Sequence, residues 1–230
     1  MKKIFIAIAV ATSQLTAVAQ TVNVHFKNGQ TIEYPSSNVD YINFSTKASD
    51  PTVTIGEAVD LGLSVLWASC NLGAKSPEEY GDYYAWGEVK TKEKYTPSTY
   101  SYYNNDLGTY ISIGDAIEGS EYDAATVNLG NNYRLPTDSE FEELIEKCEW
   151  EWTNINGVKG FKISGSNGNS IFMPATGYFN VQAIREGELQ YWTSREAKIF
   201  YATNTGNRVV FVASKREIGR TIRPVRQKSN

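Results

Sequence analysis

One segment, residues 132–150 (NYRLPTDSEFEELIEKCEW), carries a long helical repeat in a chain otherwise built of aromatic, β-branched and turn residues, and that imbalance most constrains the fold. Thr137 with Glu140 three residues later fits a capping box: the threonine oxygen accepts a free N–H of the first turn, and the glutamate reaches back to the cap's own N–H. Asp138 sits at the positive end of the helix dipole. Phe141, Leu144, Ile145 and Cys148 fall at i, i+3, i+4 and i+7 and make one apolar stripe, with Glu142, Glu143, Glu146 and Lys147 on the wet side. Cys148 is therefore expected to point inward.

The remainder reads as short strands and long connections. "AVDLGLSVLWASC" gives a strand pair ending at Cys70, "GFKISGSNGNSIFMP" a hairpin around Ser166-Asn167-Gly168, and "IFYATNTGNRVVFVAS" a hairpin around Thr205-Gly206-Asn207. "YDAATVNL" fits a second, short helix. Two helices among many antiparallel strands specify an α+β class. Residues 95–122, rich in Tyr, Asn, Ser and Gly, have no periodicity, and so long a loop is usually functional or mobile. Upstream, "VNVHFKNGQTIEY" reads as a hairpin with a three-residue loop Lys27-Asn28-Gly29, which places Val24 opposite Ile32 and Val22 opposite Tyr34. "VDYINF" supplies a third strand. Three such strands bury too little to stand alone, so this piece is expected to lean on the main domain or on a neighbour.

Lys2 and Lys3 precede an apolar run over residues 4–11, and Ala17-Val18-Ala19 has the small residues a signal peptidase reads. The run is far shorter than the roughly 20 residues needed to cross a bilayer, so an exported chain with no membrane insertion after cleavage is expected. The organisation is then a signal peptide (1–19), a small β-hairpin segment and linker (20–52), and a main domain (53–230). Removing the two lysines from 22 basic residues leaves 20 against 26 acidic, a net charge of −6 with no basic cluster, which disfavours nucleic acid as a partner. The two cysteines, Cys70 and Cys148, are read as one disulfide on export and even count; the alternative is two separate buried thiols.

Five stretches in fixed order carry a family resemblance: "VDLGLSVLWASCNLGAKSPEEYGDYYAWGE", "YDAATVNLGNNYRLPTDSEFEELIEKCEWEW", "NGVKGFKISGSNGNSIFMPATGY", "YWTSRE" and "GRTIRPVR". Together, over residues 59–226, they resemble the secreted bacterial domain family named for its major paralogous set in Fibrobacter succinogenes, shortened to FISUMP. "RLPTDSEFEEL" and "IRPVR" also resemble segments of the sulfatase-modifying-factor enzymes, whose fold is C-type-lectin-like. The resemblance implies that fold, with paired terminal strands, two helices and a large loop region carrying the ligand surface. It also implies a structural bridge at the two cysteines. The formylglycine-generating members hold copper with two late cysteines; residues 191–226 contain none, which argues against that activity.

Other chemistries have little to work with. The one histidine, His25, lies in the N-terminal hairpin, which removes histidine-based nucleophile and multi-histidine metal systems from the main domain. No phosphate-cradling or dinucleotide motif occurs. Glu78, Glu79, Glu88, Asp106, Asp115, Glu118, Glu121 and Asp123 could flank a glycosidic bond or hold a structural Ca²⁺, but they read more simply as solvated charge, so no cofactor is expected.

Aromatic content is the positive signal: fifteen tyrosines and five tryptophans suit a surface that stacks on flat faces and hydrogen-bonds at its edges. Trp67, Trp150, Trp152 and Phe161 read as core, while Tyr83, Tyr84 and Trp86 stay open. If the lectin-like resemblance holds, the irregular segments converge at one end, and Tyr178, Asn180, Tyr191, Trp192 and Arg195, with Tyr100 and Tyr103 from the earlier loop, form the ligand surface. Tyr100 and Tyr103 could instead pin their loop to the body, and Trp192 could fill the core beneath. The function expected is non-catalytic recognition of a glycan or surface protein. The alternatives are a structural or adhesive subunit that self-associates through the N-terminal hairpin and, third, an enzyme on this fold.

Overall fold

A computed structural model describes residues 21–25, 31–35, 58–130, 132–181, 184–185, 187–204 and 209–228. The chain divides into two units, Met1–Asp50 and Pro51–Asn230. In the first, β1 (Thr21–His25) and β2 (Thr31–Pro35) pair antiparallel with Val24 opposite Ile32 and Val22 opposite Tyr34, the register that a three-residue loop demands. The loop itself, the expected third strand at 39–44 and the leader at 1–19 lie outside the described residues.

The second unit is α+β. Its first strands, β3 (Ala58–Val59) and β4 (Val65–Ala68), pair with each other, and the last strand of the chain, β15 (Val225–Gln227), pairs with β4, setting Val225 opposite Trp67. Between them run β5 (Tyr103–Asn104), β6 (Thr109–Tyr110), α1 (Ala124–Leu129), α2 (Asp138–Lys147), β7 (Glu149–Ile155), β8 (Val158–Ser164) and β9 (Ser170–Pro174). These are followed by β10 (Tyr178–Phe179), β11 (Ile184–Arg185), β12 (Leu189–Trp192), β13 (Lys198–Ala202) and β14 (Val209–Ala213). The sheets are small: β15-β4-β3, β7-β8-β9, β12-β13-β14 and the two-stranded pairs β5-β6 and β10-β11.

Helix α2 forms as its local signals require. Thr137 Oγ1 accepts from Glu140 N at 3.3 Å, and Glu140 Oε2 accepts from Thr137 N at 2.8 Å. Phe141 stacks on Phe200 at 4.3 Å and meets Trp67 edge-on at 5.1 Å, so the apolar stripe joins β4 to β13 in the main core. On the other helix face Glu143 accepts from Ser64 N and Oγ and pairs with Lys147. The second helix, α1, is capped by Asp123, whose carboxylate accepts from Ala125 N and Thr126 N.

The helix is followed directly by a strand that sequence reading treats only as two core tryptophans. β7 turns into β8 through Asn156-Gly157, both at positive φ (52° and 90°), the two-residue type I′ geometry that matches strand twist. Trp150 and Trp152 are half-buried on this strand against Phe161, and Trp150 Nε1 donates to Leu144 O at 3.1 Å at the helix end.

The expected disulfide is a correction: both cysteines are free thiols. Phe141 meets Trp67 and Glu143 reaches Ser64, so α2 runs antiparallel to β4. Cys148 therefore lies beyond the start of β4 while Cys70 lies past its end, roughly 20 Å apart by helix and strand rise, against the 4.4–6.8 Å between Cα atoms that a disulfide needs. Cys70 Sγ instead donates to Ala74 O at 3.4 Å, and Cys148 caps α2 and packs on the main core.

Candidate functional site

Three of the seven aromatic and polar candidates turn inward. Tyr191 and Trp192 close β12 at 0% and 1% exposure, and Tyr100 is buried too, so none can stack on a ligand. Tyr191 Oη donates to Pro174 O (2.8 Å) and accepts from Asn71 Nδ2 (3.1 Å), Trp192 Nε1 donates to Tyr84 O (2.7 Å), and Tyr100 Oη donates to Trp86 O (2.7 Å). Tyr83 donates to Thr176 O, Trp86 to Thr193 O, and Tyr95 to Tyr83 O, which assigns the open "GDYYAWGE" aromatics to the interior. Irregular segments leave Tyr83 O, Trp86 O, Thr176 O and Thr193 O without ladder partners, and a buried phenol or indole supplies both the missing donor and the apolar bulk around it. Pro174 O and Tyr84 O, which also accept from Thr176 N and Arg220 N, gain a second donor.

The other candidates keep some access. Tyr103 and Tyr178 are half-buried, and Asn180 and Arg195 are exposed. Phe179, beside Tyr178, packs edge-on to Tyr95 at 5.3 Å and joins Tyr83, Tyr95, Tyr100, Tyr102 and Tyr103 in one aromatic cluster. The early and late loops thus converge, but on a cluster that is largely interior. Arg195 does not join them: it lies 3.6 Å from Asp138 at the start of α2, a carboxylate also held by Lys198 at 2.6 Å.

What projects from this end is the hairpin β5-β6. Leu107 at its tip is 73% exposed and Ile111 just beyond it 48%. Asn104 Oδ1 accepts from the N–H groups of Asp106 and Leu107, an Asx turn that shapes the tip. The underside is fixed: the Tyr110 ring lies 5.1 Å from the Arg216 guanidinium and edge-on to Tyr100 and Tyr103, and its hydroxyl donates to Glu217 at 2.6 Å. Burial and then Glu217 push the Tyr110 hydroxyl up to about 12, so it is a neutral phenol at physiological pH. Two aromatic partners, one cation and one carboxylate hold Tyr110 beneath, and the outward surface presents Leu107 and Ile111 among the exposed Asn105, Asp106 and Thr109 and the 39% of Tyr110 left uncovered.

Sequence reading missed the arginines of the closing segment. Arg216, Arg220 and Arg223 are all buried in a stretch that runs antiparallel to residues 68–86, through Trp86 N to Arg216 O, the Tyr84–Arg220 bridge, Leu72 N to Ile222 O and Ala68 N to Pro224 O. Arg216 pairs with Glu196, donates to Ile111 O and lies over Trp86. Arg223 donates to Asn71 Oδ1 (2.9 Å), Ala68 O (3.0 Å) and Phe172 O (2.7 Å), and its burial lowers its pKa. The available signal was four arginines, at 216, 220, 223 and 226, among Ile, Gly and Thr with only one carboxylate nearby, an unusual composition for a solvated terminus.

The acidic residues are dispersed. Glu88 accepts from Ser101 N and Oγ and pairs with Lys92, Asp123 accepts four backbone N–H groups, and Glu78 accepts from Asn156. Among the described residues no three His, Cys, Asp or Glu side chains gather closely enough to hold a metal ion. Two hollows, beside Trp86 and beside Cys70, have room for no more than about one water. Compared with known proteins, the chain matches no family model, no curated protein and no solved structure.

Proposed function

We propose that this chain is an exported, non-catalytic recognition module of C-type-lectin-like architecture that docks a surface protein on the β5-β6 end. The observation that carries the reading is the pairing of exposed Leu107 and Ile111 with a rigid aromatic underside. Aliphatic side chains held on a preorganised hairpin bury apolar area at small entropic cost, which suits a protein partner. A sugar would want free aromatic faces, and here one face of the Tyr110 ring, which is 39% exposed, is covered by Arg216. The non-catalytic reading draws on how reactive groups are used: Cys70 is bonded to Ala74, Cys148 is packed on the core, and the two thiols are too far apart to share a copper ion.

The test is binding of the purified protein to an array of envelope proteins and to a polysaccharide array, with a Leu107→Ser/Ile111→Ser variant beside wild type. A protein ligand bound at least about tenfold more weakly by the variant, at unchanged melting temperature, supports the reading. A polysaccharide ligand indifferent to both positions refutes it. A second reading, assembly through the N-terminal unit, draws on β1-β2 forming, among the described residues, a two-stranded sheet, which is marginal in water by itself. Sedimentation at two concentrations, with and without residues 20–44, tests it: concentration-dependent mass lost on deletion supports assembly, and a monomer throughout refutes it.

A further inference from the structure

Of the three buried arginines in the closing segment, one is unfinished. Arg216 has a carboxylate and a carbonyl, and Arg223 has three acceptors. Arg220 is 7% exposed, donates through Nη2 to Ser214 Oγ at 2.7 Å, and has Nε and Nη1 buried with no hydrogen-bond partner among the described residues. No described carboxylate lies within ion-pair distance of it. Its guanidinium lies 5.2 Å from the Tyr178 ring and 5.4 Å from the Trp192 ring, contacts that offset part of the lost hydration but satisfy no N–H. A buried cation with idle donors is among the costlier arrangements a fold can keep, so it calls for an explanation that the packing does not supply.

We infer that Arg220 is the receptor for a carboxylate of the protein partner, a chain terminus or acidic side chain that enters beside Tyr178 and takes up the idle donors of the guanidinium. The planar fork of N–H groups matches a carboxylate and gives charge-assisted bonds in a site already stripped of water. Two features make Tyr178 the entrance. Trp192 is locked by its bond to Tyr84 O, whereas Tyr178 is half-buried and sits on a two-residue strand. Its neighbour Phe179 is held by Tyr83, Tyr95 and the Gly219 backbone, which fixes the backbone that carries Tyr178 at the half-buried edge of the guanidinium. Burial has lowered the Arg220 pKa to about 10, which leaves the group cationic at neutral pH and short of a counter-charge. The inference deepens the protein-docking reading and rests on it only for the source of the carboxylate.

The experiment uses the full chain, ¹⁵N-labelled at arginine, and sodium N-acetylglycinate as a mimic of a peptide terminus, with N-acetylglycinamide and sodium chloride as matched controls. The Arg220 Nε resonance, assigned by its loss in Arg220→Gln, should shift saturably with N-acetylglycinate and not with the amide or chloride. Tyr178→Ala should tighten binding several-fold, and Arg220→Gln should weaken it at least about tenfold. No saturable shift in either wild type or Tyr178→Ala overturns the proposal, as does an equal response to chloride, which marks a generic anion. Tighter binding of galacturonate than of N-acetylglycinate overturns the peptide source. If Arg220→Gln fails to fold, wild type and Tyr178→Ala still decide. Because no partner is needed, the outcome is separable from that of the Leu107/Ile111 variant.

Discussion

The conversion of Tyr191 from expected ligand contact to interior donor is testable by one atom. Tyr191→Phe keeps the ring volume and removes the hydroxyl, which donates to Pro174 O at 2.8 Å and accepts from Asn71 Nδ2 at 3.1 Å. Asn71 retains its bond to Tyr80 O through the same amide nitrogen, and Pro174 O retains the N–H of Thr176 at 2.9 Å, so the loss is one buried hydrogen bond rather than an orphaned carbonyl. Such a bond contributes about 0.5–1.5 kcal/mol. The hydroxyl dipole also sits near the Arg223 guanidinium, whose other neighbours are neutral oxygens, so its removal further weakens the solvation of a fully buried cation. A total of about 1–3 kcal/mol is expected, which for a domain of this size lowers the melting temperature by roughly 2–10 °C. Calorimetry or urea titration of wild type and variant reads it directly. A change below about 0.5 kcal/mol would refute the argument that these phenols complete the backbone hydrogen bonding. A weakened partner affinity at unchanged stability would return Tyr191 to the binding surface.

Alkaline pH should unfold the protein through its phenols: burial raises the Tyr95 and Tyr110 hydroxyls to about 12 and pushes those of Tyr84, Tyr100 and Tyr191 upward. A raised folded-state pKa means this stability is fully present below about pH 10 and falls as pH climbs toward 12, so absorbance at 295 nm should show a late, cooperative group of tyrosines coincident with unfolding. All tyrosines titrating smoothly near their ordinary value would contradict the burial. Intact mass should show both cysteines as thiols; in the native protein a maleimide should reach Cys148 before Cys70, while reductant leaves the melting temperature unchanged. A 2 Da deficit restored by reductant would show that the pair bridges after all. Gly157→Ala should cost about 1 kcal/mol through φ alone, since a Cβ there meets open space, and equilibrium unfolding at two denaturants checks it.

The local elements are legible in the residues themselves. The Thr137–Glu140 box, the Phe141/Leu144 stripe and the register of β1-β2 are decided within a few residues, where the chain can bond only to itself. β7 is equally legible: "NINGVKGF" carries an Asn-Gly hairpin signal, which is easily passed over because Trp150 and Trp152 read first as core.

Sequence by itself therefore determined the class: short antiparallel strands, one well-capped helix and a second short one. It could not determine what the aromatic and arginine side chains do. Trp86 answers to Thr193, Trp192 to Tyr84, and Arg223 to Asn71, partners separated by 107, 108 and 152 residues. A tyrosine that stacks on a ligand and one that caps a buried carbonyl have the same side chain and the same local neighbours. The cysteines differ for the same reason: both face inward, but the antiparallel run of α2 along β4 sends them to opposite ends of that strand. Only the tertiary fold brings an orphan carbonyl, a phenol or a guanidinium together. The hydrogen bond that each buried polar group requires thus fixes roles that no local pattern encodes.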